Sequence, residues 1–213
     1  MSDKGIYIIT GMPRSGTSFL CTIFNKFGDK FKPNLICNTP IQPLDGFSIL
    51  SEPSELSHSR MSIKNLNNFL LNIISEYSVF QGTIPVVKHF YFSDNLDQIP
   101  KLSYIKKIIV CTRDIPSWVQ SMNSHAPHSI EYLKSLFNSL SEDEKELIVG
   151  SNYIESFGQL LYNRCKQILS LSIPTLHFDF NNLSSIDSIL NDLNFNKSFR
   201  SNVLENWEGS RFK

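Results

Sequence analysis

The segment GIYIITGMPRSGTSFLCTIFNKFG, residues 5–28, decides how the rest of the chain is read. Gly5 to Thr10 is a short apolar run rich in β-branched side chains, too short for a helix and suited to a strand buried on both faces. Leu20, Ile23, Phe24 and Phe27 then recur at helical spacing with Gly28 behind them as a stop, which predicts a helix from about Gly16 to Phe27. Between the two lies the turn Gly11-Met12-Pro13-Arg14-Ser15-Gly16-Thr17-Ser18. A strand that feeds a helix through a glycine turn opens an α/β fold, because the crossover helix must lay its apolar stripe on the sheet.

The same alternation continues along the chain. Leu66, Phe69, Leu70, Ile73, Ile74 and Tyr77 predict a helix, with Gly82 beyond it and a strand at Thr83 to His89. Lys107 to Thr112 predicts a third strand, followed by Arg113, Asp114 and a Pro116 suited to the first turn of a helix that carries Trp118, Val119 and Met122. At least two helices are expected between Ser129 and Leu171, the second marked by Ile154, Phe157, Leu161, Cys165 and Ile168. The acidic stretch 141–147 suits a helix N-terminus, and its charges at 142–146 read as solvated. Pro174 to Phe180 predicts a fourth strand, and Ile186, Ile189, Leu190 and Leu193 a last helix. The expected fold is therefore α/β: a three-layer α/β/α domain over 1–213 with a central, mainly parallel sheet. Residues 29–60, with Pro33, Pro40, Pro43, Gly46 and Pro53, form a long aperiodic stretch expected to lie over the site.

Composition narrows the function. The 213 residues are 41% hydrophobic and 19% charged, enough apolar material for a core. Twenty Lys and Arg balance 20 Asp and Glu, so there is no broad cationic field of the kind that non-specific nucleic-acid binding uses, and any anion site is local. No apolar run approaches the roughly 18 residues of a membrane span, and MSDKG leads directly into the first strand, so neither a membrane span nor a secretion signal is expected, and no membrane partner. Cys21, Cys37, Cys111 and Cys165 are widely spaced, which reads as four reduced thiols in a cytoplasmic protein. His125 and His128 in HAPH lack a surrounding carboxylate or cysteine pattern, so no metal site is assigned.

The turn 11–18 has the glycine spacing of a Walker A loop, whose backbone N–H groups wrap a phosphate at a helix N-terminus. Thr17 stands where that loop has its lysine, the residue that contacts β- and γ-phosphates, which argues against ordinary ATP or GTP chemistry. Arg14 is the replacement cation. The competing reading is that Gly11 and Gly16 only shape the turn and Arg14 is a surface charge. A second strand-to-helix turn carries Arg113, with Ser121 eight residues later on the following helix. An Arg fork plus a hydroxyl suits a terminal phosphate, the alternative for Arg113 being an ion pair with a carboxylate such as Asp114.

PRSGTSFL at 13–20 resembles the 5′-phosphosulfate loop of sulfotransferases that use 3′-phosphoadenosine 5′-phosphosulfate (PAPS), in the arginine-bearing form of tyrosylprotein, carbohydrate and bacterial members. RDIPSWVQS at 113–121 resembles the same family's 3′-phosphate site, with Ile115 inserted before the proline. The resemblance implies cofactor-binding roles for Pro13, Arg14, Ser15, Gly16, Thr17, Ser18, Arg113 and Ser121. Phe19 sits where cytosolic relatives place an aromatic that stacks on adenine, although a Phe near a helix start is also an ordinary core residue. FRSNVLENW at 199–207 resembles the C-terminal segment that supplies an Arg to the 3′-phosphate, here Arg200, and Leu176 to Leu183 resembles a later strand and turn.

The resemblance further implies sulfuryl transfer from PAPS to a hydroxyl or amine acceptor on a small molecule, glycan or peptide, with adenosine 3′,5′-bisphosphate (PAP) as product. Such transfer passes through a loose, in-line transition state, so positioning and charge stabilisation dominate, and the lower charge of a sulfuryl group makes a metal ion unnecessary. Arg14 would stabilise the leaving group. Lys88, in VVKHF, resembles the family's lysine at the end of the corresponding strand, and His89 lies one position before the catalytic histidine of cytosolic members. The rival general base is Glu52 in SEPSEL, in the region where tyrosylprotein relatives carry a glutamate. Both also read as non-catalytic, Glu52 as a solvated carboxylate and His89 as a hydrogen-bonded core residue. The segment 29–82 is expected to cover the acceptor. Two other readings stay open: a small P-loop kinase, and a nucleotide-binding module without transfer activity.

Overall fold

The structure is a computed structural model that describes residues 5–17, 19–20, 64, 67–68, 70–71, 86–88, 96–124, 128–138, 140–148 and 152–192. Its centre is a four-stranded, all-parallel sheet of β1 (Ile6–Gly11), β2 (Val86–Lys88), β3 (Ile105–Thr112) and β4 (Thr175–Asp179), in the order β2-β1-β3-β4. The helices are α1 (Ile115–Ser124), α2 (His128–Asn138), α3 (Glu142–Glu146), α4 (Tyr153–Leu169) and α5 (Leu183–Asp192), with a 3-10 helix at Leu96–Lys101. Helical backbone also occurs at Thr17, Phe19 and Leu20, and at Asn67, Asn68, Leu70 and Leu71, inside the two early helices expected from periodicity, and at Lys64, two residues before the second of them.

The central strands are buried on both faces, as the unbroken apolar runs require. Ile6, Ile8, Ile108 and Val110 join one cluster with Trp118 of α1 and with Phe157, Leu161 and Ile168 of α4. Ile9, Ile109 and Cys111, of opposite parity, are buried outside that cluster. On their side Lys107 pairs with Asp192, the last residue of α5, and stands 6.0 Å from the Tyr7 ring centroid. Ile186, Ile189 and Leu190, three of the four residues that define the last helix in the sequence, are buried on α5.

Three elements differ from expectation. β3 begins at Ile105, two residues early, because Ile105 pairs with Ile6 across an irregular register step. The 3-10 helix carries Pro100 in its interior, a position that masks it from helical periodicity. The charges of 142–146 are not simply solvated. Ser141 and Glu144 form a reciprocal capping box at the start of α3, and Glu144 also accepts from Arg164 of α4. Burial alone would raise the Glu144 carboxyl, but the Ser141 amide and the Arg164 guanidinium outweigh it and hold its pKa below the ordinary value.

Candidate functional site

β1 and β3 are neighbours and run parallel, so the turns that leave them lie side by side at the carboxyl end of the sheet, where ligands of open α/β sheets bind. Among the described residues positive φ occurs only here, at Gly11 (134°), Arg14 (63°) and Gly16 (86°). At Gly11 no other residue fits: a Cβ would stand 2.0 Å from the Cys111 carbonyl oxygen of β3. At Gly16 a Cβ would stand 2.7 Å from the Phe178 ring and 3.0 Å from that of Phe180. Arg14 adopts the left-handed conformation with a side chain attached, which costs about 1–2 kcal/mol.

That cost is met by contacts that hold the loop's carbonyl groups. The Met12 carbonyl accepts from both the amide and the hydroxyl of Ser15, the Pro13 carbonyl from the Trp118 indole N–H (2.8 Å), and the Arg14 carbonyl from Nη1 of Arg113 (3.2 Å). Three consecutive carbonyls of the turn are thus drawn toward donors of the protein. The Met12 amide donates to the Cys111 carbonyl (3.0 Å), which also takes the Ser15 hydroxyl (3.1 Å) and pins the turn to β3.

Arg113 is half-buried, its guanidinium 4.3 Å from the centroid of Phe180, and its Nε donates to Ser117 Oγ (3.0 Å). Asp114 caps α1, its carboxylate accepting from the Ser117 amide (2.9 Å) and hydroxyl (2.6 Å). Burial alone would raise the Asp114 carboxyl, yet the Ser117 bonds and the charge of Arg113 together hold it below the ordinary carboxylate value. Asn181, just after β4, donates to Ser117 Oγ (3.3 Å) and accepts from the Asp114 amide (3.4 Å). Ser121 lies one helical turn beyond Ser117 on α1, so both hydroxyl residues share the helix face nearest Arg113. On β3 and β4, Thr112 Oγ1 stands 2.7 Å from His177 Nε2, and burial, partly offset by the charge of Asp179, lowers the His177 pKa.

Most of the residues expected at the site are described. Pro13, Arg14, Ser15, Gly16 and Thr17 form the turn, Arg14 exposed and the others wholly or partly buried. Arg113 meets that turn directly, and Ser121 follows on α1. The Ser15 hydroxyl donates to the Met12 carbonyl of the loop and to the Cys111 carbonyl of β3, which gives it a role in forming the turn as well. Phe19 is partly buried and packs on the buried Phe178 ring, centroids 6.5 Å apart. Lys88 ends β2 and pairs with Ile9, which brings its backbone to the same end of the sheet. Ser18, Glu52, His89 and Arg200 lie outside the described residues, as do His125, Cys21, Cys37, most of 29–82 and all of 199–207. Sequence reading missed Trp118, Ser117 and Asn181 as site residues. Of these only Trp118 carries a signal, because a buried indole N–H must find an acceptor.

Among the described residues no cluster of three or more His, Cys, Asp or Glu could hold a metal ion, and no helix is long and apolar enough to cross a membrane. Comparison of the chain with family models, with curated proteins and with solved structures found no match.

Proposed function

We propose that this protein is a PAPS-dependent sulfotransferase with a P-loop-like three-layer α/β/α fold, working in the cytoplasm. The observation that carries the reading is the junction of the two turns: Arg113, at the end of β3, donates to the carbonyl of Arg14, in the glycine turn after β1. A nucleotide with phosphates on both its 3′ and 5′ positions needs two adjacent anion subsites, and two cationic turns in contact supply them. The absence of the P-loop lysine fits a donor whose 5′ end is a phosphosulfate and not a triphosphate. The cytoplasmic assignment rests on the wide spacing of the four cysteines in the sequence. Cys111 and Cys165 are both buried, and burial pushes the Cys165 thiol up to about 12.

In this mechanism Arg14 and the loop amides hold the 5′-phosphate and stabilise the charge that develops on it as its bond to sulfur breaks. Arg113 and Ser121 hold the 3′-phosphate. The acceptor oxygen attacks sulfur in line, and its proton passes to a general base, for which Glu52 and His89 are the candidates. Calorimetric titration with adenosine 3′,5′-bisphosphate, adenosine 5′-monophosphate and Mg-ATP tests the proposal. Tight binding of the bisphosphate in preference to the other two is expected. A preference for Mg-ATP would replace the reading with a kinase, and no binding of any nucleotide would end it.

A further inference from the structure

Of the three loop carbonyls that are drawn off, only that of Pro13 is held from the core. Its donor, Trp118, is fully buried and 105 residues away in sequence. Room for the indole comes from α4. At Gly158 a Cβ would stand 2.8 Å from Cε3 and 2.9 Å from Cζ3 of Trp118, so any larger residue would displace the ring. In a trans peptide the C=O and the following N–H point in opposite directions. Fixing the Pro13 carbonyl toward the core therefore aims the Arg14 N–H away from it, toward the surface where Arg14 is exposed. If that peptide turned over, a carbonyl dipole would face an incoming anion in place of an N–H. The left-handed backbone of Arg14 belongs to the same arrangement, since alternation of right- and left-handed residues is what lets successive amides converge on an anion.

We infer that Trp118 is a positioning residue that locks the Pro13–Arg14 peptide with its N–H outward, and that Gly158 is the notch that admits it. The lock serves whichever phosphate or phosphosulfate the loop takes. The inference rests on the anion-binding part of the proposed function and not on the identity of the nucleotide.

The test uses inorganic pyrophosphate as probe on the full chain, followed by amide NMR. In the wild type the Arg14 amide proton moves downfield on saturation, while that of Ser15, already bonded to Met12, stays in place. Trp118→Phe, with its thermal midpoint measured as a check on folding, is expected to weaken pyrophosphate on the order of tenfold. It also weakens adenosine 5′-monophosphate and the 3′,5′-bisphosphate by the same factor, which leaves the ratio between those two unchanged. Pyrophosphate binding with an unmoved Arg14 amide would overturn the inference. So would an undiminished affinity in folded Trp118→Phe, or a wild type that binds no pyrophosphate. A wild type that shows the pyrophosphate effects but no preference for the bisphosphate would refute the sulfotransferase reading and leave the lock standing.

Discussion

The two ends of the sheet are built differently. At the amino end the contacts are conventional: Ile6 N–H bonds the Tyr104 carbonyl (2.8 Å), the Tyr104 hydroxyl bonds Asn67 (2.7 Å), and Lys107 pairs with Asp192. Burial at that end pushes the Tyr104 phenol up to about 12. The carboxyl end has the positive-φ residues, two arginine-bearing turns in contact, and a fully buried Thr10 hydroxyl without a hydrogen-bond partner among the described residues. Local rules broken together in one place, while the other described residues keep them, mark where stability has been given up for a function.

The contrast is sharpest along β1, which follows Gly5 and ends in Gly11. Gly11→Ala puts its Cβ on the β3 backbone at a φ that L-residues avoid, and should destabilise by about 3–5 kcal/mol. Gly5→Ala, at a position without positive φ, meets first the Lys106 side chain and not backbone, and should cost less, about 1–2 kcal/mol. Urea denaturation of the two variants decides this, and equal losses would erase the distinction between the ends.

A smaller effect separates the site from the purely structural ion pair of α3 and α4. Glu144→Gln keeps an acceptor for the Ser141 amide but removes the charge that pairs with Arg164, and should cost about 1 kcal/mol at neutral pH. The folded-state pKa of Glu144 is depressed, so its contribution is complete above the unfolded value of about 4.3 and is lost as the pH falls below that toward the folded value. The difference between wild type and Glu144→Gln should therefore shrink on acidification from about pH 5 to pH 3. A difference that stays constant with pH would show that the pair is not what Glu144 contributes.

Much of this was legible in the sequence because apolar periodicity reports burial directly. Ile6 and Ile8 on β1, Phe157, Leu161, Cys165 and Ile168 on α4 and Ile186, Ile189 and Leu190 on α5 are buried where their spacing puts them. The glycine turn was legible because φ above zero leaves few choices of residue. Strand order was not, since nothing local in GIYIIT or KIIVCT says that they are neighbours. The contacts that organise the site are equally non-local. Trp118 reaches Pro13 and Asn181 reaches Ser117 through bonds that span 105 and 64 residues. A motif shows the residues meant for a ligand more readily than those that hold them in place.

The central claim is that the two turns serve one ligand, and the most direct test compares adenosine 3′,5′-bisphosphate with adenosine 5′-monophosphate on wild type, Arg14→Ala and Arg113→Ala by calorimetry. Arg113→Ala should lower bisphosphate affinity roughly 10- to 100-fold and bring it close to that of the monophosphate, because only the bisphosphate has a group for Arg113 to hold. Arg14→Ala should weaken both ligands together and leave their ratio intact. A bisphosphate advantage that survives Arg113→Ala would contradict the claim and separate the turn after β3 from the ligand held after β1.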